Sequence, residues 1–343
     1  MKTRKTLWTA TASAIGMLLL ILDSKTALIG AADGIDLCIR TVIPSLFPFF
    51  VLSILLTSTL TGRSIRLLGP VARLCGIPEG AEALLAVGLL GGYPVGAQAV
   101  YQAYEAKQLT KSDAHRLLGF CSNAGPAFIF GMGAGLFSTQ WCCWILWGIH
   151  IISAILVGLL LPNKSKASVT SVQEVNLTLP QAVYKAIKVI SGVCGWIILF
   201  RVVLAISNRW FLWLLPDTLR LALTGGLELA NGYAGLSSVT CEGASFLLCA
   251  CFLSFGGVCV AMQTVSVTGR LGSGLYFPGK ILQTAISFLL ALVVQGLLFP
   301  AHKRLSLSPS VMIPVLAAVC IIVLFVPIMK KTVAFQSKLV YNE

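Results

Sequence analysis

Gly88-Leu89-Leu90-Gly91-Gly92-Tyr93-Pro94-Val95-Gly96 lies at the centre of an apolar segment, residues 84–104. A helix needs about 20 apolar residues to cross a bilayer, and this segment has the length. Gly and Pro weaken a helix, however, and non-helical backbone at membrane depth persists only where protein or a water-filled cavity surrounds it. The nine residues therefore predict a re-entrant element, with Gly91, Gly92, Tyr93, Pro94 and Gly96 forming the break.

Working outward, further apolar segments run 7–22, 40–60, 117–137, 141–161, 187–206, 219–236, 245–268, 278–299 and 311–329. The 343 residues are 57% hydrophobic and only 11% charged, whereas a soluble domain carries about 25% charged residues. That composition excludes an ordinary cytoplasmic enzyme, a disordered chain and a disulfide-stapled secreted domain. It predicts an all-α polytopic membrane protein. The net charge of +13 comes from basic residues spread between apolar runs, which is the positive-inside pattern and not a nucleic-acid-binding face. Most of the 11 cysteines sit in apolar stretches and read as packing residues. No Cys/His spacing resembles a metal site, and His115, His150 and His302 are far apart in sequence.

Loop charge assigns the sides. Lys2, Arg4 and Lys5 place the start of the chain in the cytoplasm, and the 7–22 segment is read as a retained helix in preference to a cleaved signal peptide. Asp23, Asp33 and Asp36 against Lys25 mark an outside loop. Arg63, Arg66 and Arg73 return the chain inside, and Lys164, Lys166, Lys185 and Lys188 mark a cytoplasmic linker over 162–186. Three apolar segments lie between those two inside loops, although parity demands an even number of crossings. Making 84–104 re-entrant resolves the conflict.

The second half repeats the design. Segment 219–236 is broken by Gly225, Gly226, Gly232 and Gly235, and 245–268 by Gly256 and Gly257. Gly92-Tyr93-Pro94-Val95-Gly96 is echoed by Gly232-Tyr233-Ala234-Gly235. The expectation is about eight transmembrane helices plus two Gly/Pro-broken re-entrant elements. It divides the chain into a first repeat at 38–161, a second at 187–300 that starts on the opposite side, and a C-terminal helix at 311–329, with both ends cytoplasmic.

Paired, interrupted segments in corresponding positions of two halves are the best sequence pointer to a transport site, because a broken helix exposes unpaired N–H and C=O groups. Two polar clusters sit at the breaks: Cys121-Ser122-Asn123-Ala124-Gly125-Pro126 and Glu228-Leu229-Ala230-Asn231-Gly232. Ser122, Asn123, Glu228 and Asn231 are accordingly candidate substrate contacts. Helix packing competes as the role of Asn123, and an ion pair with Arg201 or Lys280 as that of Glu228. Arg201 and Lys280 either snorkel to the headgroups or face a cavity, where they would favour a carboxylate-bearing solute. Gln98, Gln263 and Gln283 are weaker neutral contacts. Enzyme templates are missing: there is no G-x-S-x-G, no H-E-x-x-H and no P-loop, and no cofactor or metal is expected.

These residues together resemble the YlbJ family of sporulation integral membrane proteins, the SpoVV type, over roughly residues 38–300. That family carries the "nucleoside recognition" Gate domain, related in design to concentrative nucleoside transporters. The match rests on Gly92-Tyr93-Pro94-Val95-Gly96-Ala97, Ser122-Asn123-Ala124-Gly125-Pro126, Glu228-Leu229-Ala230-Asn231-Gly232, Phe255-Gly256-Gly257 and Gly279-Lys280. The resemblance implies transport of dipicolinic acid out of the mother cell across the outer forespore membrane. Asn123, Asn231 and a cavity-facing Lys280 or Arg201 would meet its carboxylates, and Glu228 would be a coupling or gating acid. The chain departs from the family in its compact 162–186 loop and in Gly91, where many members have Ser. A nucleoside transporter and a non-transporting spore-envelope scaffold are the alternative readings, and homo-oligomerisation stays open.

Overall fold

A computed structural model describes residues 2–60, 65–133, 135–161, 177–300 and 302, all helix, turn or loop with no strand among them. Helix α1 (Lys2–Leu22) is followed by α2 (Ser24–Leu37), a π-helical turn (Cys38–Val42) and α3 (Ile43–Leu60). Short α4 (Gly69–Leu74) leads to α5 (Glu82–Leu90), α6 (Val95–Glu105), α7 (Lys111–Leu117), α8 (Pro126–Gly133) and α9 (Trp141–Leu160). The second half comprises α10 (Leu179–Trp210), α11 (Asp217–Leu227), α12 (Leu229–Gly235), α13 (Glu242–Phe255), α14 (Gly257–Thr268) and α15 (Tyr276–Leu298).

Among the described residues, five helical stretches are long and apolar enough to cross a membrane: Ser24–Leu56, Trp141–Leu160, Leu179–Trp210, Glu242–Leu271 and Tyr276–Leu298. The protein is therefore a helical, multi-pass membrane protein. The expected outside loop before residue 40 is instead helical and runs on into α3, because nothing between Ser24 and Leu37 stops a helix. The π turn falls just before Pro44. A proline ring clashes with the carbonyl four residues back, and a wider turn relieves that clash. Segment 117–137 is not one helix either: α7 and α8 are separated by non-helical backbone over 118–125. The linker is shorter than 162–186, since α10 begins at Leu179 behind a Thr178/Gln181 capping box. The expected helix at 311–329 lies outside the described residues.

Both broken segments fold back on themselves. A Cβ on Gly96 of α6 would lie 2.9 Å from Gly88 Cα of α5 and 1.9 Å from Cys121 O. Helices in line could not bring residues eight apart so close, so α5 and α6 form a hairpin. In the second half a Cβ on Gly232 of α12 would lie 2.3 Å from Gly225 Cα of α11. That hairpin breaks at Glu228, in extended backbone, and not at the glycines that the sequence singles out. Segment 245–268 does break at its glycines. Gly256 has φ +79°, a left-handed conformation that ends α13, and α14 starts at Gly257.

Helices α2 and α10 pack antiparallel along their length, with Gly30 against Ala205 and Gly34 against Ile198. At one end of this pair the Asp23 carboxylate accepts from Trp210 Nε1 (3.0 Å) and pairs with Arg209 Nε (3.0 Å). The Thr26 hydroxyl, then Trp210 and Arg209, hold the Asp23 carboxyl below the usual carboxylate range, against the desolvation that raises it. A lowered carboxylate adds stability above its unfolded value and loses it as pH falls through the folded one. Acidification should therefore loosen the start of α2. Hydrogen exchange over Ser24–Leu37 should rise at low pH in the wild type and stay flat in Asp23→Asn.

Candidate functional site

The structure divides the expected site residues between two places. The first is a cavity of about 480 Å³ between α2, α10, α11 and α12, lined by Asp33, Arg201, Asn208, Asp217, Arg220, Thr224, Asn231 and Ser238, among others. Arg201 thus faces a chamber and does not simply snorkel. Its Nε and the Nδ2 of Asn231 are both buried donors with no partner among the described residues. Both residues line the cavity, and a donor left without a partner suits an acceptor such as a carboxylate. Arg220, by contrast, is paired with Asp217 one turn away.

Glu228 does not reach into this chamber as a free acid. It is the N-cap of α12, and its two carboxylate oxygens accept from Ala230 N–H (3.0 Å) and Asn231 N–H (2.7 Å). It makes no ion pair with Arg201 or Lys280 among the described contacts, although Arg201 lies within electrostatic reach. Its carboxylate holds the backbone of the hairpin turn, and so sets where the Asn231 side chain points.

The second place is a buried polar knot. Lys280 is 1% exposed, so it is no snorkelling anchor. Its Nζ donates to Gln283 Oε1 (2.7 Å), Tyr93 Oη (3.0 Å) and Asn123 Oδ1 (3.2 Å), which uses all three of its protons. Asn123 is equally saturated. Its Nδ2 donates to Phe120 O (2.7 Å) and Gly88 O (3.0 Å), and its Oδ1 also accepts from Gln283 Nε2 (3.0 Å). Asn123 therefore ties the first hairpin, the non-helical 118–125 stretch and α15 together. Its neighbour Ser122 is fully buried, with an Oγ that has no partner among the described residues.

His150 of α9 extends the knot. Its Nε2 accepts from Ala124 N–H (3.0 Å), which leaves the ring proton on Nδ1, facing Ser254 Oγ (3.4 Å). From there hydroxyls run Ser254 to Ser287 (2.6 Å), to Ser153 (2.8 Å), and back to His150 O (2.9 Å). The two places meet at the α13/α14 break. A Cβ on Gly256 would lie 3.2 Å from the Tyr93 ring, and one on Gly257 would lie 3.2 Å from Leu227 O. Among the described residues no three His, Cys, Asp or Glu side chains converge as a metal site would require.

Of the expected residues, Asn123 and Lys280 come together, as do Arg201 and Asn231. The members that sequence reasoning missed or discounted are Tyr93 as a side chain, His150, Ser153, Ser254, Gln283 and Ser287. A signal existed: Lys280, Gln283 and Ser287 follow at i, i+3 and i+7, one face of a helix. A polar stripe along an otherwise apolar span points into the bundle.

Over 129 residues the chain is 33% identical to the Sporulation integral membrane protein YlbJ of Bacillus subtilis (strain 168). The match covers 37% of this chain, and the chain spans about a third (32%) of that relative's length. No family model and no solved structure matches the chain.

Proposed function

We propose that the protein is a membrane transporter of a small carboxylate-bearing solute in endospore formation, and that it belongs with the YlbJ-type proteins and their Gate-domain design. The observation that carries this reading is the cavity lined by Arg201, Arg220 and Asn231, two of which, Arg201 and Asn231, keep a buried donor without a partner among the described residues. Its volume falls in the range of about 300–1,000 Å³ usual for small-molecule sites. Dipicolinic acid is the solute that the resemblance implies. One carboxylate fits the Arg201/Asn231 wall. Arg220 is available to the second, because its partner Asp217 is 88% exposed and a surface ion pair is worth only about 0–1 kcal/mol. Asp33 also lines the cavity and disfavours a carboxylate placed beside it, so the anionic ends belong with the arginines.

The inverted-repeat reading, with about eight crossings and cytoplasmic ends, has support in matching parts. Each half has a glycine-contact hairpin followed by a broken helix and then an unbroken one. Contacts also join the connecting segments of the two halves in pairs. Ser138 N–H reaches Glu242 Oε1 at 2.6 Å, and Leu275 N–H reaches His115 O at 2.9 Å. On this reading the protein moves a solute and performs no covalent chemistry on it.

The test is uptake into proteoliposomes of dipicolinate, with a nucleoside in parallel. Wild-type protein should accumulate dipicolinate. Arg201→Ala should weaken it by roughly 10–100-fold, the worth of a charge-assisted hydrogen bond of about 1.5–3 kcal/mol. Since Arg201 Nε has no partner to lose, the variant should keep its thermal stability. Uptake of the nucleoside alone, or indifference of dipicolinate uptake to Arg201→Ala, would reject the proposal.

A further inference from the structure

A buried ammonium is normally held by a carboxylate, because burying an unpaired charge is costly. Lys280 has none. The groups that bond or face it are Tyr93 from the first hairpin, Asn123 and Cys121 from the 118–125 stretch with Arg116 behind them, His150 from α9, and Tyr276 and Gln283 from its own helix. Helix α13 contributes only Leu253 O and the Ser254 hydroxyl. Every direct acceptor of Nζ is neutral, so no fixed negative charge among the described residues holds the proton there.

Tyr93 makes this arrangement able to take two forms. Its hydroxyl accepts from Lys280 Nζ (3.0 Å) and donates to Leu253 O (3.1 Å). Leu253 lies two residues before the end of α13, where the break at Gly256 disturbs the carbonyl ladder. Tyr93 thereby pins the first hairpin to the broken helix of the second half. With Lys280 protonated, Nζ has three hydrogens to give and no lone pair, so Tyr93 must receive from it and is free to donate to Leu253 O. When Lys280 loses its proton, Nζ gains a lone pair. The Tyr93 hydroxyl can then turn to donate to Nζ, and Leu253 O loses its donor.

We infer that Lys280 is a proton-binding site that controls the first hairpin: the protonated amine latches Glu82–Glu105 to α13 through Tyr93, and loss of the proton releases it. Neither Lys280, Tyr93 nor Leu253 lines the solute cavity, so the latch is a second site distinct from it. The inference does not depend on what the cavity binds. It predicts a proton-dependent hairpin in the protein without any solute.

The experiment is hydrogen exchange of the full-length protein in nanodiscs from about pH 5 to about pH 10, corrected for the intrinsic pH dependence of exchange. The protonated form is the latched one, so protection of 84–105 is present at low pH and lost as pH rises through the titration of the amine. The expected wild-type step is about tenfold, the scale of one buried hydrogen bond. Lys280→Arg, always charged, should stay protected throughout. Lys280→Met should exchange fast throughout. Tyr93→Phe keeps the ring and removes only the hydroxyl, so it remains informative if Lys280→Met does not fold, and it too should be fast and flat. His115→Gln, in α7, should retain the step. A wild-type profile with no step would overturn the inference, as would a step that persists in Lys280→Arg or in Tyr93→Phe. None of these outcomes bears on dipicolinate uptake, so the transport reading stands or falls separately.

Discussion

Gly96→Ala is expected to prevent the first hairpin from seating, with a loss of more than about 3 kcal/mol and little properly folded protein. Overpacking with an added methyl usually costs about 1–3 kcal/mol, because a side chain can shift. Here the methyl would meet backbone: Cys121 O at 1.9 Å and Gly88 Cα at 2.9 Å. The only relief is to separate α6 from both α5 and the 118–125 stretch. That separation would also pull Tyr93 and Asn123 from Lys280. Gly148→Ala in α9, where nothing lies within 4 Å, is the control. It should be neutral or stabilising by up to about 1 kcal/mol, the helix-propensity gain of alanine over glycine. Thermal unfolding in detergent, read beside the yield of monodisperse protein, distinguishes the two. If Gly96→Ala unfolds within a few degrees of the wild type, the close packing of this hairpin is wrong.

The second large effect is expected at Asn123. Alanine there removes two donors and a shared acceptor in one step, leaving Gly88 O and Phe120 O without this donor and Lys280 with two acceptors in place of three. Hydrogen bonds inside membrane proteins average about 0.6 kcal/mol, which for four bonds sums to roughly 2–3 kcal/mol. The groups left buried without partners can raise the total to about 4 kcal/mol. Asn123→Ala should therefore both lower stability and abolish transport, whereas Arg201→Ala should weaken transport roughly 10–100-fold and leave stability unchanged. Measuring unfolding in SDS beside dipicolinate uptake gives both axes. Loss of uptake at full stability in Asn123→Ala would make Asn123 a solute contact and not the centre of a structural knot.

The breaks were legible because glycine and proline act locally. Gly88 to Gly96 and Gly256-Gly257 interrupt helices in the sequence and in the structure alike. The second hairpin shows the limit. Its glycines mark close helix contact, while the chain actually turns at Glu228, whose carboxylate caps the next helix. An acidic residue in an apolar run reads as a functional charge, and no local pattern reveals that backbone N–H groups will satisfy it. The continuous α2 to α3 helix is hidden in the sequence for a related reason: Asp33 and Asp36 look like loop charges, yet Asp36 pairs with Arg40 one turn on.

The sequence by itself determined that this is a helical membrane protein, that it breaks its helices at two glycine-rich segments, and that Asn123, Glu228, Asn231, Arg201 and Lys280 are polar groups needing partners. Those properties follow from composition and from the chemistry of single residues, which act over one or two helical turns. Only the tertiary structure decided which partners they have. Lys280 meets Tyr93 and Asn123 across 187 and 157 positions of chain, and Arg201 and Asn231 line one cavity between helices. A side chain in a membrane bundle finds its partners by which face of its helix points inward and at what depth. Both are set by the packing of the other helices, so its own neighbours in sequence do not fix them.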